Sequence, residues 1–325
     1  MRRQFLRGLG LALAIAAGFA PALTAQAQST YPNKPVRLVV PFPPGSGTDI
    51  GARVLAQQLQ ETLGQSIVVD NKAGANGAIG AMDVVRAAPD GYTLLFSSNS
   101  PAASNVALVK NMPYDPTKDL SPIAGVGDSV LVLMVRSDHP AKNVQELVAY
   151  LKERPGKVSA GYGSASSQAG IGLLNKLANV DVLPVPYKGI PLAVTDTIGG
   201  IVDFTFVDMA NALSQEKGGK MRALGVTSSK PAALAPQWPA LGETYPGFDI
   251  TAWLAVFGPA KLPPEIVAKL NAAITGALAK PEMLEKLTAT GMQPMVQTPE
   301  QLKTFVVDEI AKWKELARVA NIQPQ

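Results

Sequence analysis

Cysteine is absent from this chain of 325 residues, and histidine occurs once. Without cysteine there is no disulfide and no thiol chemistry, so stability has to come from a packed core. The single imidazole, His139, stands before Pro140 in the run "SDHPAKN" and reads as a solvated turn residue. Zinc sites of the usual kind need a His/Cys cluster, and none is present. A Ser-His-Asp triad would have to use His139, yet no G-x-S-x-G elbow occurs. Ser214–Lys217 matches S-x-x-K without its companion motifs and reads as a polar helix end. The usual catalytic inventory is missing, and the chain is expected not to be an enzyme, with no cofactor and no metal.

Strong net charge is lacking too. Arg2, Arg3 and Arg7 precede an apolar run from Gly8 to about Ala20, and Ala25-Gln26-Ala27 fits an A-x-A cleavage site. This reads as a secretory signal peptide over residues 1–27, cleaved near Ala27. A membrane anchor needs about 20 apolar residues, and this run is shorter. "RRQFLRG" also fits a twin-arginine signal; the choice between that route and ordinary secretion stays open. No later stretch is apolar for long enough to span a bilayer, so the mature protein is expected to be soluble outside the cytoplasm. Losing three arginines takes Lys+Arg from 29 to 26 against 25 Asp+Glu, and the net charge from +4 to +1. A nucleic-acid partner thereby loses its main support.

Past the signal, short β-branched runs alternate with amphipathic ones. Val36–Val40, Ile67–Val69 and Thr93–Phe96 read as strands. Ile50–Leu63 carries apolar residues at helical spacing and ends at Gly64; Ile79–Ala87 is a second helix. This βαβαβ pattern predicts a parallel sheet with helices on both faces. A second block repeats the style, with strands at Val130–Val135, Val158–Tyr162, Leu183–Val185, Ile201–Phe206 and Ala223–Val226, and a helix capped by Asn143. Thr251–Phe257 is a further strand, and Pro263 to Ala320 is helical in three pieces. The expected fold is α/β with two lobes joined by crossing strands. Lobe 1 spans 28–128 and 250–325, and lobe 2 spans 129–249.

Two loops between a strand and a helix hold the polar chemistry. "PFPPGSGTDI", residues 41–50, lacks the Lys-Ser/Thr of a Walker loop and the third glycine of a dinucleotide fingerprint. A carboxylate held on helix N–H groups, with Ser46 and Thr48 as hydroxyl donors, fits it; so does a plain turn. Asp49 reads as the N-cap of the helix, paired with Arg53 one turn on. "GYGSASSQAG", residues 161–170, has the same placement with Ser164, Ser166 and Ser167. Neither loop contains Lys or Arg. If they face each other, two half-charges from helix ends match one carboxylate.

These residues are similar to a known family. "YPNKPVRLVVPFPPGSGTDI", "APDGYTLLFSS", "YDPTKDLSPIAGV", "VPYKG" and "KMRALGVTSSK" occur in order. From about Tyr31 to the C-terminus the chain resembles the Bug family, the periplasmic solute receptors of tripartite tricarboxylate transporters. The resemblance implies a type II periplasmic-binding-protein fold with the ligand between the lobes. It also implies delivery to membrane permease subunits and ligands bearing at least one carboxylate. The implied ligand residues are Phe42, Gly45, Ser46, Thr48 and Asp49; Ser97, Ser98 and Asn99; Gly163, Ser164, Ser166 and Ser167; Tyr187; and Asp208. Tyr187 either lines the cleft or packs in the core, and Asp208 either meets a ligand hydroxyl or amine or caps a helix. The second loop often carries Thr-Ser-His in that family, where this chain has Ala165-Ser166-Ser167. Losing the histidine leaves room for a bulkier ligand, so aromatic dicarboxylates such as terephthalate join citrate-like, C4-dicarboxylate and amino-acid ligands in the expected range. The receptor is expected to act as a monomer; contact with a sensor-kinase ectodomain in place of a permease is the alternative.

Overall fold

Apart from Arg37, which pairs with Asp70 and Asp83, strand β1, Val36–Val40, is apolar and buried, as suits a central parallel strand. In the computed structural model, which describes residues 31–324, β1 pairs in parallel with β2 (Ile67–Asn71) and β3 (Thr93–Ser98). The crossovers are helix Gly47–Leu63, closed by Gly64 at φ 67°, and helix Ala78–Val85. Both match the expected pattern. The signal-peptide reading falls on residues outside those described.

The remaining strands are β4 (Leu120–Arg136), β5 (Val158–Tyr162), β6 (Val182–Pro186), β7 (Phe204–Asp208), β8 (Met221–Val226), β9 (Thr251–Pro259) and the two-residue β10 (Gln293–Pro294). The order is β2-β1-β3-β9-β4-β7-β5-β6, with β8 and β10 also on β4. Strand β9 runs antiparallel to β3 and to the first part of β4, as far as the Val130–Thr251 pair. From Leu131 onward β4 turns to β7 and β8. The long β4 therefore belongs to both halves of the sheet.

Sequence reading finds only the end of β4, Val130–Val135. The earlier part is interrupted by bulges beside Pro122 and Gly125, and glycine weakens strand patterning. The glycines are there for a reason: a Cβ on Gly125 would lie 2.6 Å from the Met295 oxygen, and one on Gly127 2.9 Å from the Gln293 oxygen. Strand β7 begins at Phe204, not Ile201, which is exposed.

The tail forms three helices, Pro264–Leu278, Pro281–Ala289 and Pro299–Val319. The first packs on helix Gly47–Leu63, and the last on β4 and on a π-turn at Ser100–Ser104 that follows β3. His139 is not solvated. It is buried, its Nδ1 accepts from the Ala141 N–H at 3.1 Å, and its ring lies edge-on to Tyr150 at 4.9 Å. Burial lowers its pKa below the ordinary imidazole value. No helix among the described residues is long and apolar enough to cross a membrane.

Candidate functional site

The carboxyl ends of β1, β3, β5 and β7 all open toward one cleft, the usual place for ligands in open α/β sheets. Its walls include Phe42, Ser46, Gly47 and Thr48 after β1, Ser98 and Asn99 at the end of β3, Gly163, Ser164 and Ser166 after β5, and Asp208 at the end of β7. The two polar loops thus meet, one from each half of the sheet. Hydrogen bonds cross between the halves: Asn99 Nδ2 donates to Ser166 Oγ at 2.8 Å, the Ala165 N–H to Ser100 Oγ at 3.1 Å, and Asn211 Nδ2 to the Gly45 oxygen at 3.1 Å.

The first loop is built from its own side chains. Gly45 sits at φ 80°, a left-handed conformation that suits glycine. The N-cap is Ser46, not Asp49: its extended backbone places Oγ to accept from the Asp49 N–H, and the helix starts at Gly47. Asp49 lies in the first turn and faces away from the cleft. It accepts from the Gly45 N–H, from Asn71 Nδ2 and from Arg53, where the helix dipole also favours an acid. The pairing with Arg53 is present at 3.0 Å. Burial by itself would raise the Asp49 carboxyl, but the bonds from Arg53, Gly45 and Asn71 outweigh it and hold the pKa below the ordinary value. A depressed pKa gives stability that is present above the unfolded value and lost as pH falls through the folded one. Asp49→Asn is therefore expected to cost about 1–3 kcal/mol at neutral pH. In urea unfolding followed across pH, the gap to the native protein should close as pH drops below the ordinary aspartate pKa.

The second loop is organised the same way. Ser164 is the N-cap of helix Ala165–Ala178 and forms a capping box with Ser167. Ser167 Oγ accepts from the Gly163 and Ser164 N–H groups, so this hydroxyl is spent within the loop and lies off the cleft. At each helix start most N–H groups find protein acceptors. Gly47 donates to the Asp208 carboxylate, Asp49 to Ser46, Ala165 to Ser100 and Ser167 to Ser164. The N–H groups of Thr48 and Ser166 have none among the hydrogen bonds of the described residues. One open amide per helix, from opposite halves, therefore faces the cleft.

Several expected ligand residues lie elsewhere. Gly45, Asp49, Ser97 and Ser167 support the loops without lining the cleft. Tyr187 stands at a separate hollow beside Tyr162 and Gln168. Its hydroxyl donates to Asp196 at 2.7 Å, and burial together with that carboxylate raises its pKa to about 12. Asp208 caps helix Met209–Lys217, accepting from the Asn211 N–H and side-chain amide. Burial pushes its pKa up.

Sequence reading missed the rest of the wall. Asp128, Ser129, Val130 and Leu131 come from β4, Ala252 and Leu254 from β9, and Thr290 and Met292 from the turn before β10; Ile190, Met209 and Ala210 complete it. These positions face the cleft only because β4 runs through both halves of the sheet, with β9 paired beside its first part. A carboxylate beside Gly127 in an apolar strand was the one available signal. Among the described residues, no Lys, Arg or His lines the cleft, and no group of three His, Cys, Asp or Glu could hold a metal.

Residues 51–322 match the family described as tripartite tricarboxylate transporter family receptor. Protein BugT of Bordetella pertussis is 38% identical over 319 residues, covering 97% of each chain. Among solved structures, an R. palustris protein with adipate superposes with a TM-score of 0.88 and 31% identity, covering 91% of this chain and 100% of that one. The periplasmic binding protein BugD does so with a TM-score of 0.86 and 34% identity, covering 91% and 100%. The two-lobed α/β architecture and the arginine-free cleft thus coincide with similarity along nearly the whole chain, and the protein belongs to the tripartite tricarboxylate transporter receptor family, the Bug solute-binding proteins.

Proposed function

We propose that this protein is a periplasmic receptor that captures a small carboxylate and delivers it to the permease of a tripartite tricarboxylate transporter. Residues 1–27 act as its export signal; 28–128 with 250–325, and 129–249, are its two lobes. The observation that carries this reading is the pair of open amides, Thr48 and Ser166, offered by helix N-termini from opposite sides of one cleft. A carboxylate has two oxygens, and one amide from each lobe satisfies both while joining the lobes. Binding then selects the closed arrangement, because only there are both donors within reach. The hydroxyls of Thr48 and Ser166, the latter accepting from Asn99 Nδ2 with its own hydrogen free, add neutral donors beside these amides.

The cleft has a volume of about 70 Å³, room for several waters. Aliphatic acids and aromatic dicarboxylates such as terephthalate both belong in the range to be tested. A thermal-shift screen of the processed protein against mono-, di- and tricarboxylates and aromatic acids tests the reading, since a ligand bound only by the folded form must raise its melting temperature. Thr48→Ala is expected to weaken the best acid by about five- to tenfold in calorimetry. Lys314→Ala, on the exposed C-terminal helix, should leave affinity unchanged. A screen in which no acid shifts the melt removes the receptor reading.

A further inference from the structure

Among the described residues, the ionisable groups lining the cleft are two carboxylates, Asp128 and Asp208, with no Lys, Arg or His beside them in the wall. Their surroundings differ. The Asp208 oxygens are engaged by the Asn211 N–H, the Asn211 side-chain amide and the Gly47 N–H. Asp128 makes no ion pair and receives no side-chain hydrogen bond among the described residues; its one donor is its own backbone N–H. It is half-buried on β4 opposite Trp253 and Gln293. Neighbouring polar groups do not reach for it, since Ser129 Oγ donates to the Gly291 oxygen at 2.7 Å and Thr290 Oγ1 to the Leu287 oxygen at 2.6 Å. Asp128 stands three residues along β4 from Leu131, which is in register with Asp208. That is about 10 Å of strand, so Asp128 is set apart along the cleft wall from Asp208 and from the Gly47 amide that Asp208 accepts from.

We propose that Asp128 is the specificity-determining residue for the distal end of the ligand, and that the preferred ligand is a carboxylic acid carrying an ammonium or hydroxyl donor there in place of a second ionised carboxylate. The proposal rests on the receptor reading, with the acid group held at Thr48 and Ser166. A half-buried carboxylate short of donors is costly until a donor arrives, and a charge-assisted bond from the ligand supplies one. A second ligand carboxylate brings like charge against it with no cation in the wall to offset the repulsion. Burial already raises the Asp128 pKa, in keeping with a group that lacks donors in the unliganded protein.

Matched acids test this by calorimetry: succinate against γ-hydroxybutyrate and γ-aminobutyrate, and adipate against ε-hydroxycaproate and ε-aminocaproate. In one series or both, the native protein is expected to bind the hydroxy or amino acid about tenfold or more tighter than the diacid. In Asp128→Asn, which keeps the shape and removes the charge, the preference for the ammonium should fall to about twofold or less and diacid affinity should rise. The amino acid outranking the hydroxy acid identifies a cationic ligand; equal affinities identify a neutral donor. Tighter binding of the diacids by the native protein, or an unchanged preference in Asp128→Asn, overturns the proposal and leaves the receptor reading standing. The native ranking decides this even if the variant fails to fold. Binding of neither series, together with a silent thermal-shift screen, removes both.

Discussion

Gly163→Ala is expected to destabilise the protein by about 3 kcal/mol or more and to abolish ligand binding. A Cβ at this position would stand 2.1 Å from the Gly189 carbonyl carbon and 2.3 Å from the Ile190 nitrogen. Both are backbone atoms, at the start of helix Ile190–Ile198, and neither can rotate aside as a side chain could. Relief requires moving one strand end or the whole helix, which places the change among the costly overpacking substitutions. The same shift carries Ser164 and Ser166 away from the first loop, because Gly163 leads directly into their helix. Urea unfolding should show a lower midpoint with unchanged slope, and calorimetry no heat with any acid that binds the native protein. Gly276 is the control. It lies in helix Pro264–Leu278, and a Cβ added there would meet nothing within 4 Å, so Gly276→Ala should raise stability by about 0.5–1 kcal/mol.

Glu309→Leu should cost a comparable amount, about 3–5 kcal/mol, for a different reason. One Glu309 oxygen accepts from the Trp253 indole N–H at 2.7 Å and from the Trp313 indole N–H at 3.3 Å. All three side chains are buried, and Lys312 approaches the other oxygen at 3.5 Å. Trp253 lies on β9, between β3 and β4, and Trp313 on the C-terminal helix. Leucine keeps the packing but leaves two indole donors without an acceptor, each costing about 1–3 kcal/mol in a dry interior. Glu309→Gln retains an acceptor oxygen and should lose only about 1 kcal/mol. Equal losses in the two variants would mean that the carboxylate charge, and not the acceptor geometry, holds the tail helix to β9.

The parts of the fold that came directly from sequence are those whose cause is local. β1 is valine and leucine apart from Arg37, Gly64 closes its helix at positive φ, and Asn143 accepts from the Glu146 N–H at 2.8 Å as an N-cap should. The two polar loops were legible for the same reason, since each links a buried strand to a capped helix. Small errors arose where two local solutions compete. Ser46 and Asp49 can each cap a helix, and the extended backbone at Ser46 decided between them. His139 in a proline-bearing turn looked solvated, but Tyr150 from the next helix covers it.

Sequence by itself determined the α/β alternation and the two polar loops that each link a buried strand to a capped helix, because each depends on residue type and spacing within a few turns. Tertiary structure alone decided which hydroxyls and amides stay open and which are spent inside their own loops. It also decided that Tyr187 turns to Asp196, and that β4 and β9 bring Asp128, Leu254 and Met292 into the wall. The physical reason is that a side chain's partner across a cleft is set by the closure of a sheet whose crossing strands are joined through residues more than a hundred positions apart, and no local pattern encodes that closure.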